Sequence, residues 1–167
     1  MIELLIRNTG AFATVDAVDS DLLSTKWYVK KNGYCYRFTG RRRNQKEYLH
    51  RVVLARALSR PLAQAERADH RDRDKLNNRR NNVRVATSSQ NATNSKDRSR
   101  RLSKYRGVGL HASGLWHARI RVHPNVLSLG YFKSQEAAAA AYDAAALLHH
   151  GQFATTNAAL GLLCAAS

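Results

Sequence analysis

The sequence predicts an α+β chain in two small parts joined by a polar linker, and three observations carry that prediction. Apolar and polar side chains alternate around an Asn32-Gly33 pair in the first part. A segment too polar for any core, Ala68 to Asn91, follows a short stretch with helical spacing. Beyond residue 104, three strand-like pieces precede one alanine-rich helical run, which predicts a three-stranded antiparallel sheet with a helix packed across it. The predicted boundaries are 1–94 for the first domain with its N-terminal strands, 95–103 for a basic linker, 104–158 for the second domain and 159–167 for a tail.

Residues 11–39 alternate as strands do, and WYVKKNGYCYRF carries the Asn-Gly dipeptide, a strong short-range hairpin signal. YLHRVVLARAL, from Tyr48, places Leu49, Val52, Val53 and Leu58 near helical spacing ahead of Pro61, so a short helix leads into the polar segment. ATNSKDRSRRLS, residues 92–103, is almost devoid of apolar side chains and reads as a linker.

In the second part, KYRGVGL, LWHARIRV and VLSLGYF are the strands and SQEAAAAAYDAAALLHHG is the helix. Ser134 is its N-cap, and Glu136 lies in the positive first turn. His149 and His150 sit near the negative end, and Gly151 takes the C-terminal left-handed position. The alanines let the helix lie close to the sheet while Tyr142, Leu147 and Leu148 supply bulk. Alternation in WHARIRV puts His117, Arg119 and Arg121 on one face and Trp116, Ala118, Ile120 and Val122 on the other. Such a sheet can enter a major groove, where arginine reads guanine or grips phosphate, and Arg106 on the preceding strand can join.

The chain holds 28 Lys+Arg against 12 Asp+Glu, a net charge of +16, and residues 41–106 hold 20 against six, so +14 of it is concentrated there. That field attracts polyanions. No apolar run approaches a membrane span and no secretory signal opens the chain, so no membrane partner and a cytoplasmic location are expected. Cys35 and Cys164 form no CxxC pair and are read as ordinary reduced thiols.

Phosphodiester hydrolysis needs a base to deprotonate water and a hard cation to offset phosphate charge. ADHRDRDKLNNRRNNVRVATSSQN supplies the residue types for both in Asp69, His70, Asn82 and Asn91, with Arg79, Arg80 and Arg84 to hold the substrate. Asn77, Asn78 and Asn81 suit turns and caps. His50, leading the apolar helix, is either a supporting member of the site or a packed residue.

Residues 48–94, with the preceding VDAVDSDLLS and KWYVKKNGYCYRF, resemble the HNH homing endonucleases of phages and introns in the order and spacing of these motifs. The resemblance implies a ββα-metal active site with His70 as general base, Asp69 and Asn91 as metal ligands and Asn82 orienting or supporting His70. It also implies Mg²⁺, Mn²⁺ or another divalent cation as cofactor. A carboxylate and an amide oxygen suit such a cation. The chain departs from the family at Arg71 and Arg73, where an apolar residue and a glycine are more usual.

YRGV, WHARIR, LGYF, EAAAAAYDAAA and FATTN, in that order, resemble the plant Apetala-two/ethylene-response-factor DNA-binding domain. This second resemblance implies that Arg106, Trp116, Arg119 and Arg121 face the duplex, which for Trp116 conflicts with the strand alternation. GLHASG stands where that family often has an arginine cluster. Together the resemblances imply a DNA endonuclease of the homing type acting on double-stranded DNA. They point to a monomer or weak dimer in a phage-infected or prophage-carrying bacterium, and a monomer with one site should nick. A non-catalytic DNA-binding transcriptional regulator is the alternative, and RNA binding fits the charge alone.

Overall fold

The structure, a computed structural model, describes residues 1–40, 45–94 and 102–163. It is mixed α and β, with four small antiparallel sheets, and its contacts divide it into two compact units, Met1–Asn91 and Ala92–Ser167. Most of the expected linker, residues 95–101, lies outside the described residues, as does Cys164.

In the first unit, β1 (Ile2–Leu5) and β2 (Phe12–Val15) form a hairpin with Ile2 opposite Val15. A 3-10 segment, Ala17–Ser24, leads to the three-stranded sheet of β3 (Tyr28–Val29), β4 (Cys35–Thr39) and β5 (Gln45–Tyr48). The Asn32-Gly33 turn forms as expected, Gly33 taking φ +87°. Then come α1 (Leu49–Ala57), a hairpin of β6 (Arg67–His70) and β7 (Val83–Ala86), and α2 (Ser88–Thr93).

Leu4, Ile6, Val15, Leu22, Trp27 and Leu49 are all buried in the core of this unit, joined by Val53, Ala68 and Val83. The buried face of α1 is Leu49, His50, Val53 and Leu54, so Val52 is only half-buried and Leu58 closes the helix at its exposed end. Cys35 is a free thiol within this core, and burial pushes its pKa up to about 12, which makes it inert.

The second unit pairs β8 (Val108–Leu110), β9 (Trp116–Val122) and β10 (Asn125–Phe132) in the order β10-β9-β8, with α3 (Gln135–His150) across them. Ser134 Oγ accepts from Ala137 N at 3.1 Å, the expected cap. Ala138, Ala139 and Ala146 are fully buried against the sheet with Tyr142. Leu147 and Leu148 are 61% and 79% exposed, so the bulk assigned to them comes from Tyr142 and Tyr105 instead. The late FATTN motif has a structural task. Buried Asn157 joins the backbone of Arg106, through Oδ1 at 2.6 Å, to Asp143 of α3, through Nδ2 at 2.9 Å.

Candidate active site

The β6-β7 hairpin sets Asp69 opposite Arg84 and His70 opposite Val83. Cross-strand pairing of opposite charges stabilises such a ladder, and Arg84 reaches Asp69 Oδ2 through Nε at 2.9 Å and Nη2 at 2.8 Å, both side chains being buried. Arg84, expected to hold the substrate, is a buried partner of Asp69.

Asn78 Oδ1 lies 3.2 Å from Nε2 of His70. Because Asn78 Nδ2 donates to the carbonyls of Lys75 and Leu76, at 3.2 and 3.0 Å, its oxygen is the end that faces the imidazole. Nε2 is then the donor, and in neutral His70 the lone pair sits on Nδ1. Asn82, expected to orient or support His70, holds the loop that follows it: Oδ1 accepts from Asp72 N at 3.1 Å, and Nδ2 donates to Asp72 Oδ1 and Asn77 O at 2.9 and 2.7 Å.

That loop, residues 71–82, is built on short polar side chains and on β2. Asp72 and Asp74 each accept from the backbone two residues on, at 2.8 and 3.0 Å. Thr14 accepts from Asn78 N and donates to Leu76 O, both at 2.8 Å, so the first hairpin fixes the position of Asn78. Asp72 and Asn78 are the site-forming residues that sequence reasoning missed. Their signal was the density of Asx residues, which read only as turns.

His70 is 3% exposed, and burial pushes its pKa below the usual histidine range, against the raising effect of Asn78 and of Asp72, Asp69 and Asp74. Its ring lies 5.1 Å from His50 and 6.1 Å from Tyr34, centroid to centroid. His50 is buried, its Nδ1 has no hydrogen-bond partner among the described residues, and desolvation drives its pKa down to about 3.

Arg79 and Arg80 are also held internally. Asp16 Oδ1 accepts from Arg79 Nε at 3.2 Å, and the fully buried Asp19 takes Arg80 through Nε at 2.8 Å and Arg56 of α1 at 3.3 Å. The Arg79 and Arg80 side chains, expected to hold phosphate, stay about a third exposed beside these ion pairs.

Asn91 stands half-buried on α2, its side chain making no hydrogen bond among the described residues. Among the described residues, no group of three or more His, Cys, Asp or Glu gathers to hold a metal. The oxygens of Asp69 and Asn91 still fit a hard divalent cation. A carboxylate offers about four lone-pair sites, so a carboxylate that takes part in an ion pair can also coordinate.

On the second unit's sheet, Arg119 and Arg121 are exposed and neither side chain is ion-paired among the described residues. His117 shares their face, stacked on Tyr131 at 4.6 Å. Trp116 packs on the opposite side with Tyr105, Val108 and Ala118, so alternation prevails over the placement implied by the family. Arg106 Nε reaches the Tyr142 hydroxyl at 3.0 Å, which draws this side chain toward α3.

The chain is 29% identical over 155 residues, 92% of its length and 79% of the other's, to the uncharacterized HNH endonuclease L560 of Acanthamoeba polyphaga mimivirus. Over 62 residues, 35% of the chain, it is 55% identical to the ethylene-responsive transcription factor WRI1 of Arabidopsis thaliana. It is 53% identical over 62 residues to the AP2-like ethylene-responsive transcription factor At1g16060 of the same plant. The match spans 14% and 18% of those two plant proteins. Both parts of the composite read from the sequence are thus supported. No family model matches the chain, and no solved structure matches it. No helix among the described residues is long and apolar enough to cross a membrane.

Proposed function

We propose that this protein is a metal-dependent DNA endonuclease of the HNH homing type, held on double-stranded DNA by its second unit. The observation that carries the reading is His70. It is a buried imidazole that burial holds toward its neutral form, its Nε2 facing Asn78 Oδ1 beside the Asp69–Arg84 pair, in a chain that aligns along most of its length with an HNH endonuclease.

His70 takes the proton of a water at Nδ1 while the water oxygen bonds to phosphorus and the bond from phosphorus to the 3′-oxygen breaks, the 3′-oxygen taking a proton from solvent water to leave as a hydroxyl. A base that is neutral at working pH suits this transfer. Asn78 keeps Nε2 protonated, so Nδ1 is the accepting atom. Asn82 and Asp72 hold the loop that carries Asn78. Mg²⁺ or Mn²⁺, held by Asp69 and Asn91, would supply charge neutralisation at the phosphate. Because His70 is 3% exposed, the reading requires water to reach Nδ1 when DNA engages. The partner is double-stranded DNA, the working form a monomer that nicks or a weak dimer, and the setting a phage-infected or prophage-carrying bacterial cytoplasm.

The test is supercoiled plasmid incubated with wild type and His70→Ala, with Mg²⁺ or EDTA. Loss of a general base lowers the rate by roughly 10²–10⁴-fold, so the variant should bind DNA and leave it supercoiled. Cleavage by the variant at the wild-type rate would reject the role of His70.

A further inference from the structure

The sheet of β3, β4 and β5 carries a row of aromatic rings that nothing in the proposed hydrolysis uses. The register sets Tyr28 opposite Tyr36 and Tyr36 opposite Tyr48, so three tyrosines lie in line across three strands on one face. Phe38, two residues along β4 and 38% exposed, extends the row, with its ring 5.4 Å from Tyr36 and 5.7 Å from Tyr28.

Two lysines sit among the rings. Lys46 Nζ stands 5.1 Å from the Tyr36 centroid and 5.6 Å from that of Phe38, and Lys30 Nζ stands 5.0 Å from Tyr48. The carboxylate that these strands contribute, Glu47, is opposite Arg37 and ion-paired with it at 2.6 Å on the other face, where Arg37 also covers Trp27. The aromatic face is therefore cationic. It runs on toward the candidate site, since Tyr48 lies 5.9 Å from His50 and Tyr34 lies 6.1 Å from His70.

We infer that this face is a stacking platform for unpaired nucleotides of the DNA strand next to the cut. Rings with cations between them suit a single strand: bases stack on the rings while the ammonium groups meet the phosphates. In a duplex the base faces are hidden and only groove edges are offered, so four partly exposed rings in a row have nothing to stack on there. An ammonium over an exposed ring is held less strongly than a stacked base, so an arriving strand displaces the lysines from the rings toward its backbone. The other face of the sheet, with Cys35 in the core, is closed to such a partner.

The inference rests on the nuclease reading for the position of the cut. Its test reads binding in EDTA without cleavage, so failure of hydrolysis in the His70 experiment leaves this result standing. The full chain is titrated into a labelled thymidine oligonucleotide of about 12 nucleotides, within the footprint of one such platform, and into a duplex of equal length, with anisotropy as the readout. Phe38→Ala removes an exposed ring and should leave the melting temperature unchanged, and Tyr36→Leu removes the central one. Each is expected to weaken single-strand binding by about 5- to 150-fold while duplex binding stays within about 2-fold. Arg119→Ala should do the reverse. Unchanged single-strand affinity in a folded Phe38→Ala variant, or equal losses on both probes, overturns the platform.

Discussion

Arg73 holds φ +65° three residues after His70, the place where the nuclease family more often has glycine. Left-handed backbone costs a residue with a Cβ roughly 1–2 kcal/mol, and glycine's larger entropy loss on folding offsets about 0.5–1 kcal/mol of that. The turn's bond, Arg73 N to His70 O at 3.1 Å, is made by the backbone and survives substitution. Arg73→Gly should therefore raise stability by about 0.5–1 kcal/mol in a denaturant titration, and a loss of stability would mean that the arginine side chain itself holds the loop. His50 makes a second residue-scale prediction. Its folded pKa is about 3 against an ordinary 6.5, so between those values the unfolded chain binds a proton that the folded chain does not. Stability from this group is intact above pH 6.5 and falls by up to about 1.4 kcal/mol per unit as pH drops toward 3. The slope of melting temperature against pH over that window should flatten in His50→Phe, and an unchanged slope would rule out His50 as its source. The lowered pKa of His70 acts in the same direction on rate: burial favours the neutral base, so cleavage should hold to lower pH than it would with a solvent-exposed imidazole as base.

At the scale of elements, Gly107 decides whether β8 can lie against α3. It holds φ +75°, and a Cβ there would stand 1.9 Å from Cδ2 of Tyr142 and 2.4 Å from its Cε2, on a ring buried in the second core. Left-handed strain and overpacking together put Gly107→Ala at roughly 2–5 kcal/mol of destabilisation, visible as loss of the second unit's cooperative melting; a folded variant of wild-type stability would contradict the close approach. The YRGV motif was legible as a strand start from sequence, but the ring that demands its glycine was not. Elements written in local chemistry were readable: the Asn32-Gly33 turn, Ser134 at a helix start, Gly151 at its end, and the alternation of β9 that places Trp116 inside. Contacts that close over long separations were not. Asp16 and Asp19 take Arg79 and Arg80 more than 60 residues away, and no periodicity reveals such a pairing. Asn78 and Asn82 carry the same side chain four residues apart, and only the hold of Thr14 on the loop decides which one meets His70.

On the proposed function, the whole molecule divides its labour in a way that its charge conceals. Much of the arginine in the polar segment neutralises carboxylates of its own unit, at Asp16, Asp19 and Asp69, so the +16 net charge is a poor map of where DNA is gripped. Arg119 and Arg121, exposed on the second unit's sheet, are the residues that the proposed function sets against it. The two units have separate cores, so binding and hydrolysis should separate under mutation. Arg119→Ala should weaken duplex binding by roughly 1–3 kcal/mol if it reads a base edge, or lower the salt slope by about 1 if it meets phosphate. Either way, turnover at saturating DNA should be retained. His70→Ala should do the opposite, leaving Kd and its salt dependence in place while product formation stops. Single-turnover cleavage measured alongside anisotropy titrations at several salt concentrations would resolve the two effects. If Arg119→Ala lost turnover even on saturated DNA, the sheet would be acting on the chemistry as well as on capture, and the division of labour would be wrong.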